Sequence, residues 1–186
     1  MQKKWVWLDL EMTGLDTEKH TIIEIATAIT DTSLNLIEKG PDLIINASEL
    51  QLSAMSDFVK NMHETNGLLE KVQSSTETIH SAESKTLAFL KKHLEPGQSP
   101  LCGNSVSYDR RFLEAQMPRL ATFFHYRHID VTTFKLAITQ WYPHAKLYQK
   151  KLTHRAMDDV IESIEELKHY QQQLTWTGEH DHVDDR

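Results

Sequence analysis

The chain opens on alternation. From Trp5 to Glu11 (Trp5-Val6-Trp7-Leu8-Asp9-Leu10-Glu11) aromatic and aliphatic side chains fall on opposite faces of an extended segment, which predicts a strand. Thr13-Gly14-Leu15-Asp16 supplies a turn. A second strand is predicted over 20–30 and a third over 36–45, after a turn near Ser33-Leu34-Asn35. Three strands joined by short turns make an antiparallel meander. Helical spacing then takes over, with a short helix over 56–64 and a longer one over 77–94 that stops before Pro96-Gly97. A brief strand is expected at 100–103, then a helix over 108–121 interrupted near Pro118. A last strand follows at 128–131 and a helix from about 132 to 141. Ala156, Val160, Ile164, Leu167 and Gln171 recur at helical spacing and predict a closing helix over 155–173. A meander followed by helix–strand alternation implies a mixed sheet flanked by helices, an α/β domain.

Composition adds little to this picture. Apolar residues make up 39% and charged residues 25% of 186, ordinary values for one globular unit with its own core. The expectation is a single domain over 1–174 and an acidic, disordered tail over 175–186. No stretch approaches the ~20 apolar residues that cross a membrane, and the apolar run from Trp5 ends at Asp9, too soon for a signal peptide. A single cysteine, Cys102, excludes an internal disulfide and fits a reducing compartment, so a cytoplasmic location is expected. Net charge is −7, of which the last twelve residues supply −3. The remaining −4 argues against a basic track gripping a long nucleic acid, but not against a substrate with one or two phosphates held partly by cations.

The chemistry begins with Asp9 and Glu11. Two apart on a strand, they project to the same face. The strand is otherwise apolar, and two acids there are costly unless a cation neutralises them. For an isolated Asp-x-Glu, an edge strand with both acids in water is the commoner explanation. Asp109, near a helix start, could simply favour the positive end of the helix dipole. Acids are equally ordinary at 158 and 159, and His154 alone is more often a surface or capping residue than a base.

Together these pieces say more. Asp9-x-Glu11 on an early strand, Asp109 in mid-chain and His154-x-x-x-x-Asp159 near the end resemble the DEDD exonuclease superfamily, in its subgroup with a histidine base. The resemblance narrows to the oligoribonuclease family through Trp7-Leu8-Asp9-Leu10-Glu11-Met12-Thr13-Gly14-Leu15-Asp16, Ile22-Ile23-Glu24-Ile25-Ala26-Thr27 and Gly103-Asn104-Ser105. Asp109-Arg110-Arg111-Phe112-Leu113, Phe124-His125-Tyr126-Arg127 and Ile129-Asp130-Val131 continue it, so that it covers about residues 5–170.

The resemblance implies a ribonuclease-H-like fold with a mixed five-stranded sheet. It implies two divalent cations, Mg²⁺ or Mn²⁺, held by Asp9, Glu11, Asp109 and Asp159, with His154 as general base. Helical geometry alone leaves Asp158 and Asp159 equivalent, one on each side of the apolar stripe, and the choice of Asp159 comes from the family spacing. The resemblance further implies very short RNA as substrate, dinucleotides preferred, cut 3′→5′ to 5′-mononucleotides. Leu15 would wedge between two bases, and Phe58 would stack on one where the family usually has Trp. His63 and Ser105 would meet the 5′ end, and Tyr126 and Arg127 from the second subunit of a homodimer would cap the 5′ phosphate. Ser107-Tyr108 departs from the family's common Gly-Gln without touching a proposed ligand. Two rivals are a DNA-proofreading exonuclease, which an acidic surface and a capped 5′ end disfavour, and a non-catalytic binding module. Such a module would have no reason to bear the repulsion among four acids.

Overall fold

Burial sets the place of the first strand. In the computed structural model, which describes residues 3–142, 144–150 and 154–174, β1 (Lys4–Met12) is the middle strand of a five-stranded sheet ordered β3-β2-β1-β4-β5. It pairs antiparallel with β2 (Ile22–Asp31), which pairs antiparallel with β3 (Leu36–Ile44). On its other side β1 runs parallel to β4 (Leu101–Gly103), and β4 parallel to β5 (His128–Asp130). The mixed five-stranded sheet expected from the sequence is therefore present. The expected tail over 175–186 lies outside the described residues.

Helices cover both faces. Val6, Leu8 and Leu10 point into one core with α4 (Ile79–Leu90), α5 (Ser107–Gln116) and α6 (Pro118–Ala121). Trp7, Ala26, Ala28 and Cys102 face the other, under α7 (Val131–Trp141) and α8 (Ala156–Gln173). The two faces of β1 therefore fill two separate cores, as its alternation predicts. Trp7 is fully buried, with its indole N–H donating to Thr30 Oγ1 at 3.0 Å. Among the described residues no helix is long and apolar enough to cross a membrane.

The structure departs from the sequence expectations in several places. The second strand begins at Ile22, because Thr21 is held in the preceding turn by its N–H to Thr13 Oγ1 at 3.0 Å. The long helix runs only from Ile79 to Leu90, with Thr78 as its N-cap. The interruption expected near Pro118 is present: the helix over 108–121 is two helices, separated at Met117 where the backbone leaves helical angles and Pro118 begins the next turn. Two short helices were not expected, α1 (Glu49–Leu52) and α3 (Leu68–Ser74), while α2 (Asp57–Thr65) was. The capping box of α1, Ser48 with Gln51, is legible in the sequence. In α8 it is Tyr170 and not Gln171 that is buried.

Trp7→Ala should cost about 3–5 kcal/mol, since it deletes a large buried ring and leaves Thr30 without its donor. Urea unfolding would measure it, and a loss under about 1 kcal/mol would show that the α8-side core does not depend on this ring.

Candidate active site

The central position of β1 removes the edge-strand explanation for its acids. Asp9 and Glu11 share the face that carries Trp7, at the carboxyl-terminal end of the strand, and Glu11 is only 9% exposed. Asp109 is buried in the first turn of α5 and reaches across, its Oδ1 accepting the Leu10 N–H at 3.1 Å. Its carboxylate thus lies close enough to both strand acids to raise their pKa values, which the helix-dipole reading does not require. Asp159, in the first turn of α8, comes in from the other side. Oxygens of Glu11 and Asp159 and a ring nitrogen of His154 lie within 4.8 Å of one another. All four acids and the histidine converge on one end of the central strand.

Packing sets Asp158 and Asp159 apart. Asp158 is exposed, whereas Asp159 Oδ2 is buried and has no hydrogen-bond partner among the described residues. The sequence stripe placed the two symmetrically because it counted apolar residues only. The buried face of α8 also includes Glu162, Ser163 and Glu166, which widen it toward Asp159. Asn104 Nδ2 donates to Ser163 Oγ at 2.8 Å and to Glu166 Oε2 at 3.1 Å, and Tyr170 donates to Glu166 Oε1 at 3.0 Å. These bonds meet the desolvation cost of the buried polar groups.

His154 is held in a left-handed backbone conformation, φ 50°, which non-glycine residues rarely adopt. Two clamps impose it. Asn66 Nδ2 donates to the His154 carbonyl at 2.6 Å. On the other side, Arg155 Nε and Nη2 donate to the fully buried Glu24 at 3.0 and 2.7 Å, and the Ala156 N–H donates to Glu24 at 3.1 Å. Glu24 sits directly opposite Glu11 in the β1–β2 register. The pair therefore ties the start of α8 to the strand beside the acids. Sequence reasoning missed Glu24, Asn66 and Arg155, because nothing local marks residues 131 positions apart as partners.

Electrostatically the cluster is short of positive charge. Burial first, and then the charges of Asp109, Glu11 and Asp159, push the Asp9 carboxyl well above its usual range. Glu11 is pushed up to about 8 by burial and then by Asp159, Glu24 and Asp109. Burial also raises Asp109 and Asp159. Lys150, also missed in the sequence, opposes the shifts of Asp9 and Asp159 while pairing with Glu166 at 3.5 Å. Arg155 opposes the shift of Glu11 but is already paired with Glu24, and these cations do not compensate four carboxylates. The unpartnered Asp159 Oδ2 and a donor set of hard oxygens beside one imidazole fit Mg²⁺ or Mn²⁺.

The remaining candidates divide by place. Leu15, on the turn after β1, and Phe58, at the start of α2, are 59% and 78% exposed, so Phe58 is not a core residue. Ser105, φ 52°, follows β4, its N–H donating to Asp130 Oδ1 at 2.9 Å. His63 is fully buried, with Nε2 3.1 Å from the Met12 carbonyl, beneath the turn and not at its surface. Tyr126 and Arg127 are elsewhere. His128 is in register with Leu101 and Leu101 with Val6, so Arg127 stands level with the start of β1, two strands from it. At ~3.3 Å per residue and ~4.8 Å between strands, that is about 16 Å from Asp9, beyond the reach of its side chain. The described chain thus brings the metal set and His154 together and leaves Tyr126 and Arg127 apart from them.

Comparison with known proteins agrees with this geometry. A family model described as an exonuclease of the RNase T type matches residues 6–167. The chain is 51% identical to the oligoribonuclease of Pasteurella multocida (strain Pm70), over 90% of this chain and 91% of that protein. It is 49% identical to the oligoribonuclease of Haemophilus influenzae (strain PittGG), over 90% and 92%. The zinc-bound complex of E. coli exonuclease I with single-stranded DNA matches with a TM-score of 0.68 at 13% identity, over 94% of this chain and 41% of that one. The chain spans about two fifths of that nuclease, and the likeness shows the fold.

Metal removal should expose the repulsion. Because folding raises the carboxyl pKa of Glu11 from 4.5 to about 8, the native state holds a proton that the unfolded chain has lost throughout that window. Stability of the metal-free protein therefore falls as pH rises through it, by up to ~1.4 kcal/mol per pH unit for one such group. In EDTA the melting temperature should drop by several degrees between pH 6.5 and 8, and Mg²⁺ or Mn²⁺ should restore it at pH 8. A flat pH profile with no response to either cation would show that these acids are compensated in another way.

Proposed function

The chain belongs to the oligoribonuclease family of exonucleases, and on that footing we propose that it cuts very short RNA fragments from the 3′ end to 5′-mononucleotides, with 5′-phosphorylated dinucleotides preferred. The observation that carries this reading is the convergence of four acids and His154 at the end of the central strand, with the buried Asp159 Oδ2 left unpartnered.

Asp9, Glu11, Asp109 and Asp159 would hold the two cations. Bound there, the cations would acidify a water and stabilise the departing 3′-oxygen. The residues of the chain do the rest. His154 takes the proton of the attacking water on an imidazole nitrogen as the water oxygen joins the scissile phosphorus and the bond to the 3′-oxygen breaks. The clamps of Asn66 and Arg155 fix the backbone from which that ring is presented. Leu15 wedges between the two bases and Phe58 stacks on one, while Ser105 and the buried His63 shape the wall at the 5′ end.

Length selectivity requires a stop beyond the second nucleotide. Tyr126 and Arg127 supply it to the site of a second copy, since each pair lies about 16 Å from the acids of its own chain by strand spacing. The surface beside them is suited to a homodimer. Next to the short edge strand β5, Trp5, Leu34, Ile129, Phe134, Leu167 and Leu174 line an apolar hollow of ≈ 570 Å³. Leu136 and Trp141 on α7 are 66% and 71% exposed, more apolar surface than an isolated chain profits from. The buried, unpaired Cys102 accords with a cytoplasmic location. Digestion of 5′-phosphorylated RNA of two to seven nucleotides with Mn²⁺ tests the whole reading: disappearance of the dinucleotide first supports it, and equal kcat/KM for lengths two and seven revives a general exonuclease.

Asp159→Asn should abolish turnover without loss of melting temperature, and Asp158→Asn should remain active. The reverse pattern would transfer the metal ligand to Asp158. His154→Ala should lower kcat by roughly 10²–10⁴, the usual contribution of a placed general base.

Arg127→Ala should weaken pApA by roughly 10- to 150-fold, the equivalent of one charge-assisted contact, and barely affect ApA, which has no 5′ phosphate. Mixing Arg127→Ala with Asp9→Asn chains should restore partial activity, because one site of each mixed dimer has both an intact metal set and an intact donated Arg. A fully active monomer would sink the cross-subunit cap.

A further inference from the structure

His20 is placed as a bridge. The Asp16 N–H donates to its Nδ1 at 3.0 Å, which requires that nitrogen to be unprotonated. The other nitrogen, Nε2, then bears the hydrogen, and it lies 3.3 Å from the carbonyl of Ala54. Both ring nitrogens are used, one by the turn that bears Leu15 and one by the segment that leads into α2 and Phe58. The ring also presses on the turn itself. A Cβ on Gly14 would lie 2.5 Å from Nε2, so only glycine lets the ring seat there. The backbone of His20 is tied down separately, its carbonyl accepting from Gln116 Nε2 at 2.8 Å and its N–H donating to the Asp16 carbonyl at 2.8 Å. The two exposed apolar side chains, Leu15 and Phe58, stand on segments with no regular pairing between them. The imidazole of His20 joins those segments directly.

We propose that His20 is a positioning residue that latches the Leu15 turn to the entry of α2 and so fixes the gap between the wedge and the stacking ring. The inference rests on the reading that Leu15 and Phe58 contact the bases. His20 touches neither metal ligand nor phosphate in this role, so its loss acts on substrate affinity and leaves the chemical step alone.

The test is a double-mutant cycle on pApA hydrolysis with Mn²⁺. His20→Ala should raise KM about three- to tenfold, the equivalent of one neutral hydrogen bond, with kcat within about twofold. Leu15→Ala should raise KM as well, and adding His20→Ala to it should raise KM little further, because the latch acts through the wedge. Fully additive effects, or a fall in kcat with KM unchanged, overturn the latch. If Leu15→Ala raises KM and His20→Ala does not, the latch alone fails; if Leu15→Ala leaves KM unchanged, the base-wedge reading fails and the latch with it. Should His20→Ala be too unstable to assay, Gly14→Ala forces the ring away from the same seat, and the same outcomes apply.

Discussion

Like charges held together in a half-buried cleft must be compensated, and the rest of this molecule is arranged around that requirement. Asp9 and Glu11 cannot leave each other, because β1 is pinned on both sides by β2 and β4. Asp109 cannot leave them while its Oδ1 accepts the Leu10 N–H. Asp159 is brought in by α8, whose buried face grips both sheet and loop. The fold's own stability is thereby opposed to the cluster, and only protons or cations relieve the opposition. A site that repels itself when empty is preorganised for divalent ions, since little has to move when they bind.

The supports around the cluster divide into two kinds. Hydrogen bonds from uncharged donors brace the Gly103-Asn104-Ser105 turn, where Asn104 joins α8 and the Ser105 N–H joins Asp130. A largely buried ion pair, the fully buried Glu24 with the partly exposed Arg155, braces the start of α8. Such a pair contributes little net stability, but breaking it by removing one partner is costly. Its place next to His154 gives it a clear use. With Asn66 on the carbonyl of the same residue, it holds a strained backbone that a free loop would abandon.

Distance along the sheet separates the two halves of the proposed reaction. The acids and His154 occupy the carboxyl-terminal end of β1, and Tyr126 and Arg127 precede β5 at the opposite end. A chain that held both at one site would need another fold. An apolar edge beside β5 that a second copy covers would bring the two ends together in trans, and would give each site a fixed length.

The sequence by itself determined the strands and their order along the chain, and the family whose motifs nominate the candidate metal and base residues, because these rest on local periodicity and on motifs with fixed spacing. Alternation along Trp5–Glu11 already told that both acids share a face. What only the tertiary structure decided concerns partners far apart in the chain. Whether β1 is central or at an edge depends on which strands pair with it. Asp158 and Asp159 are equivalent on an ideal helix, and they become different because the buried face of α8 extends through Glu162, Ser163 and Glu166, the last two held by Asn104, Lys150 and Tyr170. Glu24 with Arg155, and His20 with Ala54, are unmarked in sequence because a hydrogen bond between distant segments leaves no periodic trace. Local order follows from side-chain pattern, whereas placement depends on which groups the closed fold deprives of water.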